Sequence, residues 1–162
     1  MITSNKIKSV GGYKRTSKSK YPKHYTNKLS KRDKKKQIKE LNKSKRSYKK
    51  GKYYTRKKMR SFKSKKSSWT QKFNQKYPDV KSLSEISKVT GIPKGALIKV
   101  KKKGMGAYYS SGSRPNQTAE SWGLARMYAY ILGSPTRKVD YHITEKYKVK
   151  FKTKPNYYSY KE

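Results

Sequence analysis

Cysteine is absent from the 162 residues, which excludes disulfide stapling and thiolate metal sites and leaves the chain indifferent to redox compartment. Acidic residues are nearly as scarce: 8 Asp and Glu stand against 46 Lys and Arg, a formal net charge of +38. Hydrophobic residues make up only 31% and the mean hydropathy is -1.26, too little apolar material to bury the whole chain. No apolar run approaches the ~20 residues that span a bilayer, and Met1-Ile2-Thr3-Ser4-Asn5-Lys6 leads into no apolar signal core. We therefore expect neither membrane insertion nor secretion, so that Asn116-Gln117-Thr118 is a loop and helix cap rather than a glycan acceptor. Two distant histidines without clustered carboxylates form no recognisable metal site, and no cofactor is expected.

Positive charge is what the chain has in excess. DNA carries roughly one negative charge per 1.7 Å of duplex axis, and each Lys or Arg that reaches a phosphate releases condensed counterions. Nucleic acid is the natural partner for such a polycation, with DNA favoured over RNA. The charge is uneven: residues 1–80 hold 29 Lys/Arg and 3 Asp/Glu, net +26, whereas residues 81–162 hold 17 and 5, net +12. Composition divides the chain into a Lys/Tyr-rich arm (1–68), a small folded domain (69–152) and a tail (153–162). The arm, with Gly11-Gly12 near its start, is expected to be extended or disordered when free. A basic helix over 31–49 is predicted within it, begun by Ser30 and Asp33 and striped by Ile38, Leu41 and Tyr48.

Helical patterning strengthens after the arm. Trp69, Phe73 and Tyr77 recur at spacing four before Pro78. Ser82 with Glu85 makes a capping-box pattern ahead of Leu83, Ile86 and Val89, and Gly91 is placed to end that helix. Pro93 suits the start of the next, which carries Leu97, Ile98 and Val100 toward a stop at Gly104. Residues 104–117 read as a Gly/Ser/Tyr-rich loop, after which Thr118 caps a helix from Ala119 to Leu132, the expected centre of the core. Beyond Gly133 and Pro135, Val139, Tyr141 and Ile143 alternate with Lys138, Asp140 and His142, and Tyr147, Val149 and Phe151 alternate with lysines. That alternation predicts a C-terminal β-hairpin, and hence a small α+β fold with a mainly helical, helix-turn-helix-like core.

Several constellations bear on function. Ser82 to Val100 has helix-turn-helix patterning, but its second helix would offer Pro93, Lys94 and Gly95 to base edges, which suits phosphate contact better than base reading. Basic residues interleave with Tyr from Tyr13 to Phe62, a composition that joins phosphate neutralisation to base stacking. Lys31, Lys34, Lys35, Lys45, Arg46, Arg56, Lys57 and Arg60 are the expected phosphate contacts of the arm, joined by Lys94 and Lys99, while Tyr53, Tyr54 and Phe62 are the expected stacking groups. Gly112, Ser113, Arg114 and Thr118 lead into a helix N-terminus and form a candidate phosphate-binding loop, although without Walker spacing. For catalysis the inventory is thin. Asp140 and His142 are the sole candidate acid-base pair, and a non-enzymatic role with no small-molecule substrate is expected.

Three stretches carry a resemblance to a known group of proteins: Leu29-Ser30-Lys31-Arg32-Asp33-Lys34-Lys35-Lys36-Gln37, Lys49 to Lys57 with Ser61 to Ser67, and Gly106-Ala107-Tyr108-Tyr109-Ser110-Ser111-Gly112-Ser113-Arg114-Pro115-Asn116-Gln117-Thr118 continuing to Arg126. From about Leu29 to Ile143 the chain resembles an uncharacterised basic domain of large nucleocytoplasmic DNA viruses and some phages. The resemblance implies a viral setting and brings no activity with it. Met127-Tyr128-Ala129-Tyr130 is bulkier than the small residues of that domain. In such a setting the expected role is a virion-associated structural protein that binds genome non-specifically. The alternative is a minor capsid or cement protein whose basic arm ties capsid proteins together.

Overall fold

The computed structural model describes residues 21–156, and within them every regular element is a helix. A short 3-10 turn, Lys23–Tyr25, precedes α1 (Lys31–Lys49), α2 (Ser68–Lys76), α3 (Leu83–Thr90), α4 (Lys94–Ser110), α5 (Ala119–Ile131), α6 (Thr136–Val139) and α7 (Tyr141–Lys146). The expected Gly11-Gly12 and Tyr13 features, and the tail beyond residue 156, lie outside the described residues.

The long helix α4 is the central pillar, touched by α1, α3, α5 and α7. Ala96, Leu97, Val100, Gly104 and Tyr108 form its buried face. The apolar part of that face packs with Phe73, Ile86, Ile92, Met127, Tyr130, Ile131 and Ile143 in one core, where the Phe73 and Tyr128 rings stack at 4.3 Å. Local chemistry fixes the ends of these helices. Ser82 and Glu85 close a reciprocal capping box on α3, Thr118 and Ser121 do the same on α5, and Gly91 ends α3 in the left-handed conformation at φ 74°.

The structure corrects the expected stop at Gly104. Helix α4 runs through Gly104 and Gly106 to Ser110, so much of the expected loop is helix. Gly104 is there for packing: a Cβ on it would lie 2.8 Å from Gly123 Cα, and one on Gly123 would lie 2.7 Å from the Lys101 carbonyl. Two glycines thus let α4 and α5 approach backbone to backbone.

The β-hairpin, and with it the α+β class, is overturned, because no strand occurs among the described residues. Residues 136–146 form α6 and α7 instead. The alternation was misleading because Val139 and Tyr141 point outward, 64% and 56% exposed, while the polar Asp140 is fully buried together with Ile143 three positions on. Burial at i and i+3 is a helical period. Asp140 accepts two bonds from Arg126, at 3.0 and 2.7 Å, which allows a carboxylate to occupy the inner face.

In the arm, the described residues pack against the helical domain, with the expected helix over 31–49 and an irregular stretch at 52–59. Helix α1 starts as expected, with Ser30 accepting the Asp33 N–H, and it docks on α4. Its buried face is Gln37, Glu40, Leu41 and Ser44, spaced i, i+3, i+4 and i+7. Three of those four are polar, which is why the apolar stripe looked too thin to pack. Each is satisfied: Gln37 donates to the Tyr25 carbonyl, Glu40 accepts from the Tyr54 hydroxyl and the Lys57 N–H, and Ser44 donates to the Tyr109 carbonyl.

Candidate nucleic-acid interface

Between α1 and α2 the chain has no regular structure from residue 52 to 59, yet side chains rather than a sheet ladder hold it in place. Arg56 is the main anchor. It is 7% exposed, and its guanidinium donates to Ser44 Oγ, the Tyr108 carbonyl and Ser113 Oγ, each at 2.7 Å, while lying 3.8 Å from the Tyr108 ring centroid. Tyr108 sits in the last turn of α4, whose final carbonyls lack helical partners, so Arg56 caps the negative end of the central helix from outside it. Burial pulls its pKa below the ordinary arginine range, but a guanidinium stays protonated at neutral pH. Asn116, at φ 62°, completes the attachment by accepting the Met59 N–H and donating to the Met59 and Phe62 carbonyls.

These anchors redistribute the expected ligand contacts. Arg56 is committed to the fold and has no free donor face for phosphate. In the candidate phosphate loop, Gly112 and Ser113 are buried, Ser113 is engaged by Arg56, and the Thr118 hydroxyl caps α5. Gly112, at φ 116°, lies where a Cβ would meet Leu41 at 2.8 Å, so the stretch that carried the family resemblance is a clamp for α1 and the 52–64 segment. Arg114 alone of that group presents a free side chain to solvent. Tyr54 is half-buried on Glu40, and Tyr147 covers Gly95 at the start of α4, where a recognition helix would meet DNA. Asp140 is bound by Arg126 and lies 3.5 Å from Lys103, and His142 contacts that same lysine, so the two residues considered for acid-base work share a cationic neighbour.

The other expected cations are at the surface. Lys31, Lys34, Lys35, Arg46, Lys57, Arg60, Lys94 and Lys99 are exposed, and Lys45 is half-buried with its ammonium 5.5 Å from the Tyr21 ring. Tyr53, 73% exposed, joins Tyr48 and Tyr109 in a surface cluster of rings, 5.0 Å from Tyr109. Among the described residues none of these cations forms an ion pair, and five carboxylates are engaged elsewhere. Asp33 holds Ser61, Glu40 holds Tyr54 and the Lys57 N–H, Glu85 caps α3, Glu120 pairs with Lys101, and Asp140 pairs with Arg126.

A concave feature lies on this surface. A cleft of about 990 Å³ opens between the 61–71 segment, the Lys23–Tyr25 turn and the outer face of α5. Its lining includes Lys28, Lys63, Lys65, Lys66, Arg114 and Arg126, the rings of His24, Phe62, Trp69 and Trp122, and no carboxylate. Arg126 is neutralised by Asp140, which leaves five cations facing it. Burial, and then the charge of Arg114, hold the His24 pKa below the usual histidine range, so it presents a neutral ring at pH 7. Ser61, at the cleft edge, also bonds Ser30 and Asp33 at the start of α1.

The profile of DUF5824, a family of unknown function, matches residues 22–148. The chain belongs to that family. No curated protein and no solved structure matches it. The DUF5824 match takes in α1, the Arg56-anchored segment, the Gly112–Thr118 clamp and the cleft, which are the parts that fold together. Sequence reasoning places Trp69 and Trp122 in the core and does not single out Lys28, Lys63, Lys65, Lys66 or Arg126. The run Lys63-Ser64-Lys65-Lys66-Ser67-Ser68-Trp69, cations leading straight into a capped helix start, was the available signal. Among the described residues no helix is long and apolar enough to cross a membrane, and no group of His, Cys, Asp and Glu could hold a metal ion.

Proposed function

We propose that this protein binds nucleic acid without sequence specificity, as a structural polycation rather than an enzyme, with genomic DNA as the favoured ligand. The observation that carries the reading is the separation of charge: Asp33, Glu40 and Glu85 bond hydroxyls and backbone N–H groups, Glu120 pairs with Lys101 and Asp140 with Arg126, while Lys31, Lys34, Lys35, Arg60 and the cleft lysines are exposed. Such a surface repels itself until a polyanion neutralises it, and counterion release then favours binding to any phosphate backbone. The start of α4 offers only Pro93, Lys94 and a Gly95 covered by Tyr147, a poor set for reading base edges, which favours low specificity. In the viral setting that the sequence resemblance implies, the role is that of a virion-associated protein that neutralises packaged genome.

The test is fluorescence anisotropy with labelled duplex and single-stranded DNA of unrelated sequences, using the full chain and a Lys31→Gln, Lys34→Gln, Lys35→Gln variant. These lysines are exposed on α1, outside its buried face, so the fold should survive their replacement. Similar affinity across sequences is expected. The variant should bind every sequence more weakly, with a salt slope smaller by about one for each phosphate it no longer neutralises. Failure to bind any DNA at near-physiological salt would refute the reading, and affinity for acidic capsid surfaces would then replace it with the cement role.

A further inference from the structure

The cleft differs from the rest of the basic surface in being lined by flat rings as well as cations. Both tryptophans of the chain, Trp69 and Trp122, lie in its walls, with Phe62 on the segment that crosses between them. Both are set by the fold. The Trp122 ring meets Tyr25 edge-on at 6.3 Å, and the backbone N–H of Trp69 is fixed by the Ser67 hydroxyl at the start of α2. At about 990 Å³ the cleft sits near the top of the roughly 300–1,000 Å³ range of clefts that enclose small organic ligands. A duplex, with its base faces stacked inside, gains nothing from such rings. An unpaired strand exposes both the base faces that stack on aromatics and the phosphates that cations meet.

We propose that this cleft holds an unpaired stretch of nucleic acid, with bases stacked on Trp69 and Trp122 and phosphates met by Lys63, Lys65, Lys66 and Arg114. Lys65 and Lys66 are exposed on the segment leading to Trp69, Arg114 lines the same opening, and no carboxylate lines it to repel the backbone. This inference rests on the nucleic-acid reading above and adds to it a preference for single strands over duplex, located at one site.

The two tryptophans make the test direct, because both line the cleft and their intrinsic emission therefore reports on it. The full chain is titrated with oligothymidylate, with a duplex of equal length and with heparin, a polyanion that has no bases. Oligothymidylate should quench tryptophan emission saturably and bind more tightly than duplex, while heparin binds with little change in emission. Trp69→Ala should weaken oligothymidylate binding about tenfold and leave duplex affinity within about twofold, and Trp69→Phe should retain most of the binding. If Trp69→Ala loses its helical circular dichroism, a Lys65→Gln, Lys66→Gln variant carries the comparison, with the same selective loss for oligothymidylate expected. Binding of oligothymidylate without quenching, or a preference for duplex, overturns the cleft assignment and leaves the general reading standing. No binding of any of the three polyanions overturns both.

Discussion

Arg56 separates structural from ligand-binding cations most sharply, and Arg56→Ala is the perturbation that exposes its role. The substitution strands the Tyr108 carbonyl at the buried end of α4, removes the donors to Ser44 and Ser113, and empties the space against the Tyr108 ring. A buried acceptor left unpaired costs about 1–3 kcal/mol, and the guanidinium's interactions with the ring and with the helix C-terminus each contribute about another 1 kcal/mol. Relief from desolvating the guanidinium offsets about 1 kcal/mol of this loss, so the expected net is roughly 2–4 kcal/mol. For a chain of this size that corresponds to a fall in Tm of about 4–16 °C, read by circular dichroism at a helical wavelength. Arg56→Lys should recover only part of it, because an ammonium cannot reproduce the planar fork that reaches three acceptors. A melting curve for Arg56→Ala within about 2 °C of the parent, accompanied by a large loss of DNA affinity, would refute the reasoning and return Arg56 to the phosphate contacts.

Other consequences follow from the same geometry. Gly123→Ala should destabilise the protein by about 1–3 kcal/mol in urea titration, since the new Cβ meets the Lys101 carbonyl and Met105 Cγ at 2.7 Å, and Gly104→Ala should behave alike. The double substitution should cost less than the sum of the two, because both disturb one shared approach of the helices; strict additivity would argue against it. Hydrogen bonds from Ser61 to Asp33, and from the Ser82 and Lys81 N–H groups to Glu85, hold both carboxyls below the usual carboxylate range. Their folded-state pKa is the lower one, so their contribution is complete above about pH 4 and is lost as pH falls through the folded values. Asp33→Asn with Glu85→Gln should therefore flatten part of the acid-induced fall in Tm, and an unchanged profile would contradict these roles. Asn116→Ala should loosen residues 59–64 first, seen as faster amide exchange there with α4 protection retained.

Caps and periodic apolar faces made much of this fold legible. Ser30, Ser82, Gly91 and Thr118 mark helix ends where the structure has them, and Trp69-Phe73-Tyr77 marks α2, because capping is decided by residues next to one another in the chain. What was illegible depends on long-range partners. Asp140 counts as an outward residue until Arg126 arrives from α5, and Gly104 looks like a helix stop until Gly123 is seen to need its missing side chain. Gln37, Glu40 and Ser44 look solvated until Tyr25, Tyr54 and Tyr109 supply their bonds. For the site, composition pointed to cations and rings but not to which of them meet. Arg56 and Tyr54 turned inward, whereas Trp69 lines the cleft and Trp122 both packs against the Tyr21, Tyr25 and Leu41 cluster and lines the cleft.

The most direct test of the central claim is the binding constant for DNA of unrelated sequence measured across a salt series. Five cations facing the cleft, with Lys31, Lys34 and Lys35 exposed on α1, should give a straight line in log K against log salt with a slope of about −4 to −7. A slope shallower than about −1, or binding confined to one sequence, would contradict a protein that works by neutralising phosphate.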